Sequence, residues 1–180
     1  TAHDYKKGEL TFLTDTAGTV PDNRYTNHLP ALVNKTDLLL FDQGYFKLAT
    51  YNTLLAKGAF FVTRLFLATT TTVHDAQTSE SIDLGQVLRP SQGPIYERQV
   101  RMGQGPNQTR TCRLVCLRVN AQVANARRRR FQAHARRQGR TGSHRHLALC
   151  DWTLLITNVP EPWLPLDMVR ALYTLRWQIE

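Results

Sequence analysis

The sequence predicts an α/β fold that is interrupted by a β-rich insertion carrying a basic helix. Residues 1–67 alternate between short apolar runs and amphipathic stretches, an order that is typical of α/β proteins. Residues 68–150 contain short strand-like runs separated by glycine, proline and asparagine. Residues 151–180 return to one apolar run followed by a helical pattern. We therefore predict a core in two parts, 1–67 and 151–180, with an insertion over 68–150.

The beginning of the chain predicts a hairpin followed by a helix. Residues 9–15, ELTFLTD, alternate apolar and polar side chains as a half-buried strand does. The preceding KKG indicates a turn, so residues 1–5 are expected to end an earlier strand. Residues 22–34 carry apolar side chains at helical spacing and predict a helix.

Two buried strands are predicted next, one on each side of a helix. The runs DLLLF at 37–41 and AFFVTRLF at 59–66 are short and apolar, as buried strands are. Residues 45–57 between them predict an amphipathic helix, and Gly58 is placed to end it.

The insertion predicts further short strands and one long helix. The strand-like runs are ATTTTV, IDLGQVL, IYERQVRM and TRTCRLVCLRV. Residues 121–140 predict a very basic helix with four consecutive arginines at 127–130. After the insertion, WTLLITNV at 152–159 predicts a strand and residues 166–180 predict a final helix.

The predicted final helix combines a buried stripe with a polar face. Tyr173, Arg176 and Glu180 project within roughly 60° of one another, because each residue turns the helix by about 100°. The alternative explanation for this shared face is a surface ion pair beside a packed tyrosine. The stripe expected to be buried follows the spacing of an amphipathic helix and consists of Met168, Leu172, Leu175 and Ile179.

Asp42 directly follows the predicted strand 37–41 and is followed by Gln-Gly. Ligand sites in α/β sheets lie at the carboxyl ends of the strands, so this carboxylate is a candidate site residue. The alternative is a helix N-cap or an Asx turn, since aspartate is favoured in both.

The charge of the chain is concentrated in its middle. The chain carries a net charge of +9, and residues 86–150 contain 14 arginines and one acid, Glu97. An acidic body with a basic segment favours binding to a polyanion, and arginine binds phosphate through two parallel hydrogen bonds. A solvated basic surface is the alternative. Three cysteines indicate no disulfide framework and favour a reducing compartment.

Several of these stretches together resemble one enzyme family. The runs LLLFDQGYF, FFVTR, WTLLITNVP and LYTLRWQIE, in this order and spacing, are similar to DDE transposases of bacterial insertion sequences. The resemblance is to the branch whose last catalytic helix carries a Y-x2-R-x3-E-x6-K signature. Tyr173, Arg176 and Glu180 match its first three positions, and Asp42 matches the second catalytic aspartate.

The resemblance implies a ribonuclease-H-like fold, in which a mixed sheet is flanked by helices. Aligned with it, residues 1–5 and 9–15 correspond to strands two and three. We therefore expect strand one, with the first catalytic aspartate, to lie before Thr1. This interpretation makes the chain a fragment of a transposase that ends just after the catalytic glutamate.

The resemblance also implies the chemistry. Asp42 and Glu180 are expected to be catalytic and to bind metal, in a site for two Mg²⁺ or Mn²⁺ ions in the complete enzyme. Two such ions activate the attacking oxygen and stabilise the leaving oxygen in displacement at phosphorus. Without the first aspartate, we expect the 180-residue chain alone to lack strand-cleavage activity.

DNA contacts are implied for other residues. Tyr173 and Arg176 resemble residues that hold the DNA backbone near the scissile phosphate. Trp152 resembles a tryptophan that stacks on a flipped base, with a role in the core as the alternative. Arg127, Arg128, Arg129 and Arg130 are expected to contact the DNA backbone.

The expected partner is double-stranded DNA, comprising transposon ends and target, and the complete enzyme is expected to be a homodimer in the bacterial cytoplasm. One alternative is a non-catalytic DNA-binding remnant of a decayed transposase gene. A second is a nuclease with this core and no joining step. A metal requirement that depends on Asp42 and Glu180 separates the enzyme from the remnant.

Overall fold

The computed structural model describes residues 2–4, 9–12, 28–42, 47–65, 72–103 and 109–175, and the fold is given for these. They form eight strands and six helices. The strands are β1 (Ala2–Asp4), β2 (Glu9–Phe12), β3 (Leu38–Phe41), β4 (Phe60–Arg64), β5 (Val73–Asp75), β6 (Ile95–Met102), β7 (Cys112–Arg118) and β8 (Trp152–Thr157). The helices are α1 (Leu29–Leu32), α2 (Leu48–Ala56), α3 (Leu84–Leu88), α4 (Ala121–Arg137), α5 (His144–Leu149) and α6 (Leu166–Leu175).

Six strands form one mixed sheet in the order β3-β4-β8-β7-β6-β5. Strands β3 and β4 are parallel, and every other neighbouring pair in this sheet is antiparallel. Helix α2 connects β3 to β4, as a parallel pair requires a crossover. Strands β1 and β2 form a separate antiparallel pair, which confirms the predicted hairpin for these residues. The α/β class is therefore confirmed, as a mostly antiparallel sheet flanked by helices.

The strands of the segment 68–150 belong to the same sheet as the strands outside it. Strand β7 pairs along its length with β8, and β6 and β5 extend the sheet beyond β7. The run at 68–73, ATTTTV, lies mostly outside the described residues. Of the predicted helix 22–34, residues 22–27 also lie outside them, and helix α1 (Leu29–Leu32) lies in the described remainder.

Each face of the sheet has its own apolar cluster, because side chains alternate along a strand. Helices α2 and α3 cover one face, which we call the α2 face; its buried residues include Phe41, Tyr51, Leu54, Phe61, Leu84, Leu88, Leu114, Cys116, Trp152 and Ile156. Helix α6 covers the opposite face, which we call the α6 face; its buried residues are Val62, Val115, Leu117, Leu155, Val159, Leu164, Val169 and Tyr173.

The run IDLGQVL was predicted to be a strand, and this is wrong because it contains helix α3. Asp83 begins the helix as its N-cap, and its side chain accepts hydrogen bonds from the backbone N–H groups of Gly85 and Gln86. Asn120 caps the long helix α4 in the same way, through the N–H of Val123 at 2.9 Å. Helix α5 was not predicted.

The predicted buried stripe of the final helix is also wrong. Met168 is 52% exposed, whereas Val169 and Tyr173 are the buried residues of α6. Leu172 and Leu175 are only partly buried. The helix is therefore rotated by about one residue from the predicted orientation, and Tyr173 belongs to the side that packs on the sheet. Ile179 lies outside the described residues.

Candidate functional site

Asp42 and Arg64 lie side by side at the edge where the parallel strands β3 and β4 end. Phe41 is in register with Thr63, so the next residues of the two strands are neighbours across a strand spacing of about 4.8 Å. Leu40 and Val62, two residues earlier on each strand, belong to the α6 face. The alternation of side chains therefore directs Asp42 and Arg64 towards α6.

Helix α6 brings Tyr173 to Asp42. Tyr173 is 7% exposed and packs, with Val169 one turn earlier, on the α6 face. Its hydroxyl donates a hydrogen bond to Oδ1 of Asp42 at 3.4 Å, across 131 positions of sequence. Because this distance exceeds the range of about 2.5–3.0 Å that is usual for an O–H donor, the bond is weak and mainly orients the two groups. Two residues that were predicted from separate motifs thus meet in one place.

The start of α6 is held by a buried arginine on β7. Arg113 is 3% exposed, and its Nη1 donates to the carbonyl oxygens of Val159 at 3.1 Å and Leu164 at 2.9 Å. Its Nε forms a 2.6 Å salt bridge with Glu97 on β6. The loop between β8 and α6 is therefore tied to the sheet, and this fixes the helix that carries Tyr173.

Trp152 lies apart from Asp42 and Tyr173, on the α2 face. It is 3% exposed, and the guanidinium carbon of Arg118 lies 4.5 Å from the centroid of its ring. Arg118 is held there because its Nε donates to the carbonyl of Gly93 at 3.2 Å and its Nη2 donates to that of Ser91. This burial favours the alternative role of Trp152 in the core.

The four consecutive arginines of α4 fall into two pairs. Arg127 donates to the carbonyl of Trp152 at 2.8 Å and to the hydroxyl of Thr153 at 3.0 Å. Arg128 forms a salt bridge with Asp151. Arg129 and Arg130 are exposed. The first pair attaches α4 to the start of β8, and the second pair faces solvent.

A pocket of about 390 Å³ adjoins Tyr173 on the α6 face. Its lining includes Arg64 from β4, Arg127 from α4 and Arg170 from α6. Burial, together with the nearby positive charge of Arg64, lowers the pKa of the Arg127 guanidinium. Sequence reasoning missed Arg64 and Arg170. The available sequence signal for Arg64 was its place at the end of the run FFVTR, which corresponds to the place of Asp42 just after the run DLLLF.

The described residues bring one candidate metal ligand, a single carboxylate, to this edge of the sheet. Asp42, with its hard carboxylate oxygens, suits Mg²⁺ or Mn²⁺. No group of three or more histidine, cysteine, aspartate or glutamate side chains that could hold a metal ion occurs in the described part of the chain. Arg176 and Glu180 lie outside the described residues. A site of three or more such ligands that includes Asp42 would therefore draw on residues outside the described part of the chain.

Two other chemical features bear on the function. Cys112 and Cys116 are buried thiols, and burial raises the pKa of each to about 12, so both are protonated at neutral pH. Within the described ranges, none of the helices has the length and apolar character needed to cross a membrane.

Comparison with known proteins identifies relatives along most of the chain. The transposase for insertion sequence element IS231F of Bacillus thuringiensis subsp. israelensis is 28% identical over 80% of this chain and 33% of its own length. The IS231B transposase of subsp. berliner is 27% identical over the same shares. The IS231E transposase of subsp. finitimus is 22% identical over 99% of this chain and 40% of its own length. No solved structure matches.

The chain thus spans a third to two fifths of the length of these curated relatives. The sequence profile of the family described as "Transposase DDE domain" matches residues 1–180, the whole of the chain. This match shows that the chain belongs to the DDE transposase domain family.

Proposed function

We propose that the protein containing this chain is a DNA transposase that cuts and joins DNA strands with the help of divalent metal ions. The observation that carries the proposal is the hydrogen bond from Tyr173 to Asp42, which joins two motifs 131 residues apart. The similar proteins are named as transposases of insertion sequence elements, which supports the same activity here. Double-stranded DNA, with transposon ends and a target, is the proposed substrate, and a homodimer is the proposed assembly.

In this proposal Asp42 and Glu180 are the catalytic metal ligands. The two carboxylates would hold Mg²⁺ or Mn²⁺, which would supply activation of the attacking oxygen and stabilisation of the leaving oxygen at phosphorus. Tyr173 orients the Asp42 carboxylate through its hydroxyl and thereby limits the directions from which that carboxylate binds a cation. Arg176 and the exposed Arg129 and Arg130 contact DNA phosphates.

We further propose that the sheet is of the ribonuclease-H-like type and that a third carboxylate comes from another part of the protein. Among the described residues, β3 pairs only with β4, so its other edge has backbone groups available for a further strand. Leu38 on β3 is 41% exposed, which is consistent with such a strand covering it. A carboxylate at the end of that strand would lie next to Asp42, as Arg64 does on the opposite side.

A DNA-cleavage assay on the complete protein tests this function. We expect Asp42→Asn to reduce metal-dependent cleavage of a plasmid carrying the element's ends by more than about 100-fold, because even residues that only support metal ligands contribute about 10–100-fold. DNA binding should persist. The matched control is Asp167→Asn, which neutralises an exposed carboxylate in the first turn of α6 and should leave cleavage unchanged.

Unchanged cleavage in Asp42→Asn would refute the proposed function. A wild-type protein that binds DNA but never cleaves it in Mg²⁺ or Mn²⁺ would favour the second candidate, a non-catalytic DNA-binding protein. The exposed Arg129 and Arg130 favour that candidate, since they need no metal to bind a phosphate backbone.

A further inference from the structure

The pocket beside Tyr173 is built by five separate elements of the fold, β4, β7, α4, β8 and α6. Arg64 ends strand β4, Arg127 lies in the second turn of α4, and Arg170 lies one turn before Thr174 on α6. Thr153 on β8 forms part of its wall. The volume of about 390 Å³ falls within the range of roughly 300–1,000 Å³ that is usual for small-molecule pockets. It has room for a phosphate group with its attached sugar.

The three arginines differ in how they are held. Arg127 is fixed by its bonds to the Trp152 carbonyl and the Thr153 hydroxyl. The guanidinium groups of Arg64 and Arg170 have no hydrogen bond or salt bridge to a described side chain or backbone group. Arg118 also borders the pocket, but its guanidinium stacks on Trp152 on the α2 face.

The described lining of the pocket is positively charged, and the carboxylate of Asp42 lies beside Arg64 and Tyr173 at its edge. None of its described lining residues is acidic, whereas two other arginines of the sheet, Arg98 and Arg113, each have a carboxylate partner. Like charges repel in a partly buried site, so an anion entering the pocket relieves that repulsion. A guanidinium that has no protein partner is also ready to bind phosphate oxygens with two bonds.

We propose that this pocket binds one phosphodiester group of the DNA backbone between Arg64 and Arg170, with Arg127 as a fixed positive charge behind it. The inference rests on the proposed DNA transposase function and assigns that function a substrate-positioning site. Because Tyr173 lines the pocket and also donates to Asp42, the DNA strand held here passes next to Asp42. The site recognises backbone and not bases, so its contribution is independent of DNA sequence.

The salt dependence of DNA binding by the complete protein tests the proposal. Affinity for a fluorescently labelled duplex of arbitrary sequence is measured by anisotropy at several salt concentrations. Loss of one phosphate contact reduces the slope of log affinity against log salt by about 0.9. At about 0.1 M salt this corresponds to a roughly eightfold loss of affinity. We expect a reduction of up to this size in Arg64→Gln and in Arg170→Gln.

The double variant provides the decisive result. If both arginines bind the same phosphate, the slope of log affinity against log salt in Arg64→Gln/Arg170→Gln is reduced by about 0.9 and not by twice that amount. Lysine at both positions keeps the charges and should retain the slope. The matched control is Arg89→Gln, an exposed arginine at the end of α3 on the opposite face, which should bind DNA as the wild type does.

Wild-type affinity and slope in the double variant would overturn the proposal, and so would a fully additive loss near 1.8, which requires two separate phosphates. The test is independent of the cleavage assay. A protein that shows the expected slopes but never cleaves DNA would refute the proposed transposase function and still support the phosphate pocket.

Discussion

Replacing Arg113 with methionine is expected to destabilise the protein by about 3 kcal/mol through loss of the contacts that hold the loop before α6. Methionine fills a similar volume, so the change removes polar contacts without opening a large cavity. The carbonyl oxygens of Val159 and Leu164 lose their buried donor. Glu97 loses its salt bridge.

The magnitude follows from the burial of each group. A buried polar group left without a partner costs about 1–3 kcal/mol, and two carbonyls are affected. Breaking a buried ion pair costs about 3–5 kcal/mol when the remaining charge stays buried. The Glu97 side chain is 22% exposed and can turn to water, which lowers its share. Nη2 of Arg113 is buried without a hydrogen-bond partner among the described residues, so the native contact is itself imperfect.

Denaturant unfolding of the wild type and the variant measures the free-energy difference. The matched control is Arg145→Met, which removes a 3.2 Å salt bridge whose side chains are 52% and 36% exposed and should cost less than about 1 kcal/mol. Hydrogen exchange of the α6 amides should also become faster in Arg113→Met, because the loop that precedes the helix is no longer tied to β7.

Two results would refute this reasoning. A loss below about 1 kcal/mol would mean that the two carbonyls find water or other donors. Recovery of most of the lost stability in Arg113→Met/Glu97→Gln would mean that the cost comes from the Glu97 charge and not from the loop contacts. We expect that second substitution to recover less than about 1 kcal/mol, since Glu97 is partly exposed.

Two further predictions concern the side chains of Tyr173 and Asp75. Tyr173→Phe keeps the buried ring but removes the donor to Asp42, so cleavage should fall roughly 10–100-fold with DNA binding retained; unchanged cleavage would contradict the orienting role. The backbone N–H of Thr78 and the side chain of Arg98 lower the pKa of Asp75 from 3.8 to about 2. The ionised Asp75 carboxylate therefore stabilises the fold fully above pH 3.8, and this stabilisation is lost as the pH falls towards about 2. In Asp75→Asn the unfolding free energy should consequently change less with pH across that window. Parallel pH profiles of wild type and variant would count against this assignment.

The half of the sheet that begins at β3 could be predicted from sequence because its signals are strong and local. Strands β3, β4 and β8 are short apolar runs bounded by turn residues, and the structure confirms all three. The predicted end of α2 at Gly58 is confirmed by its φ of +72°, a conformation that suits glycine. In these elements, local preference and tertiary packing agree.

Other features depend on contacts that a linear pattern does not contain. Along α6, Met168 and Leu172 form one apolar stripe, and Val169 and Tyr173 form another directly beside it. Helical periodicity does not decide between the two stripes. The structure selects the second, because Arg113 fixes the loop before the helix and Tyr173 reaches Asp42.

The run of arginines in α4 shows why a charge motif predicts a partner better than it predicts the residues that bind it. Consecutive residues in a helix point about 100° apart, so four neighbouring arginines must cover nearly the whole circumference. Arg127 and Arg128 accordingly turn inward and bond to Trp152, Thr153 and Asp151, whereas Arg129 and Arg130 turn outward. An inward arginine contributes to DNA binding only where a cavity admits the phosphate. Arg127 meets that condition through the pocket it shares with Arg64 and Arg170, and Arg128, paired with Asp151, does not.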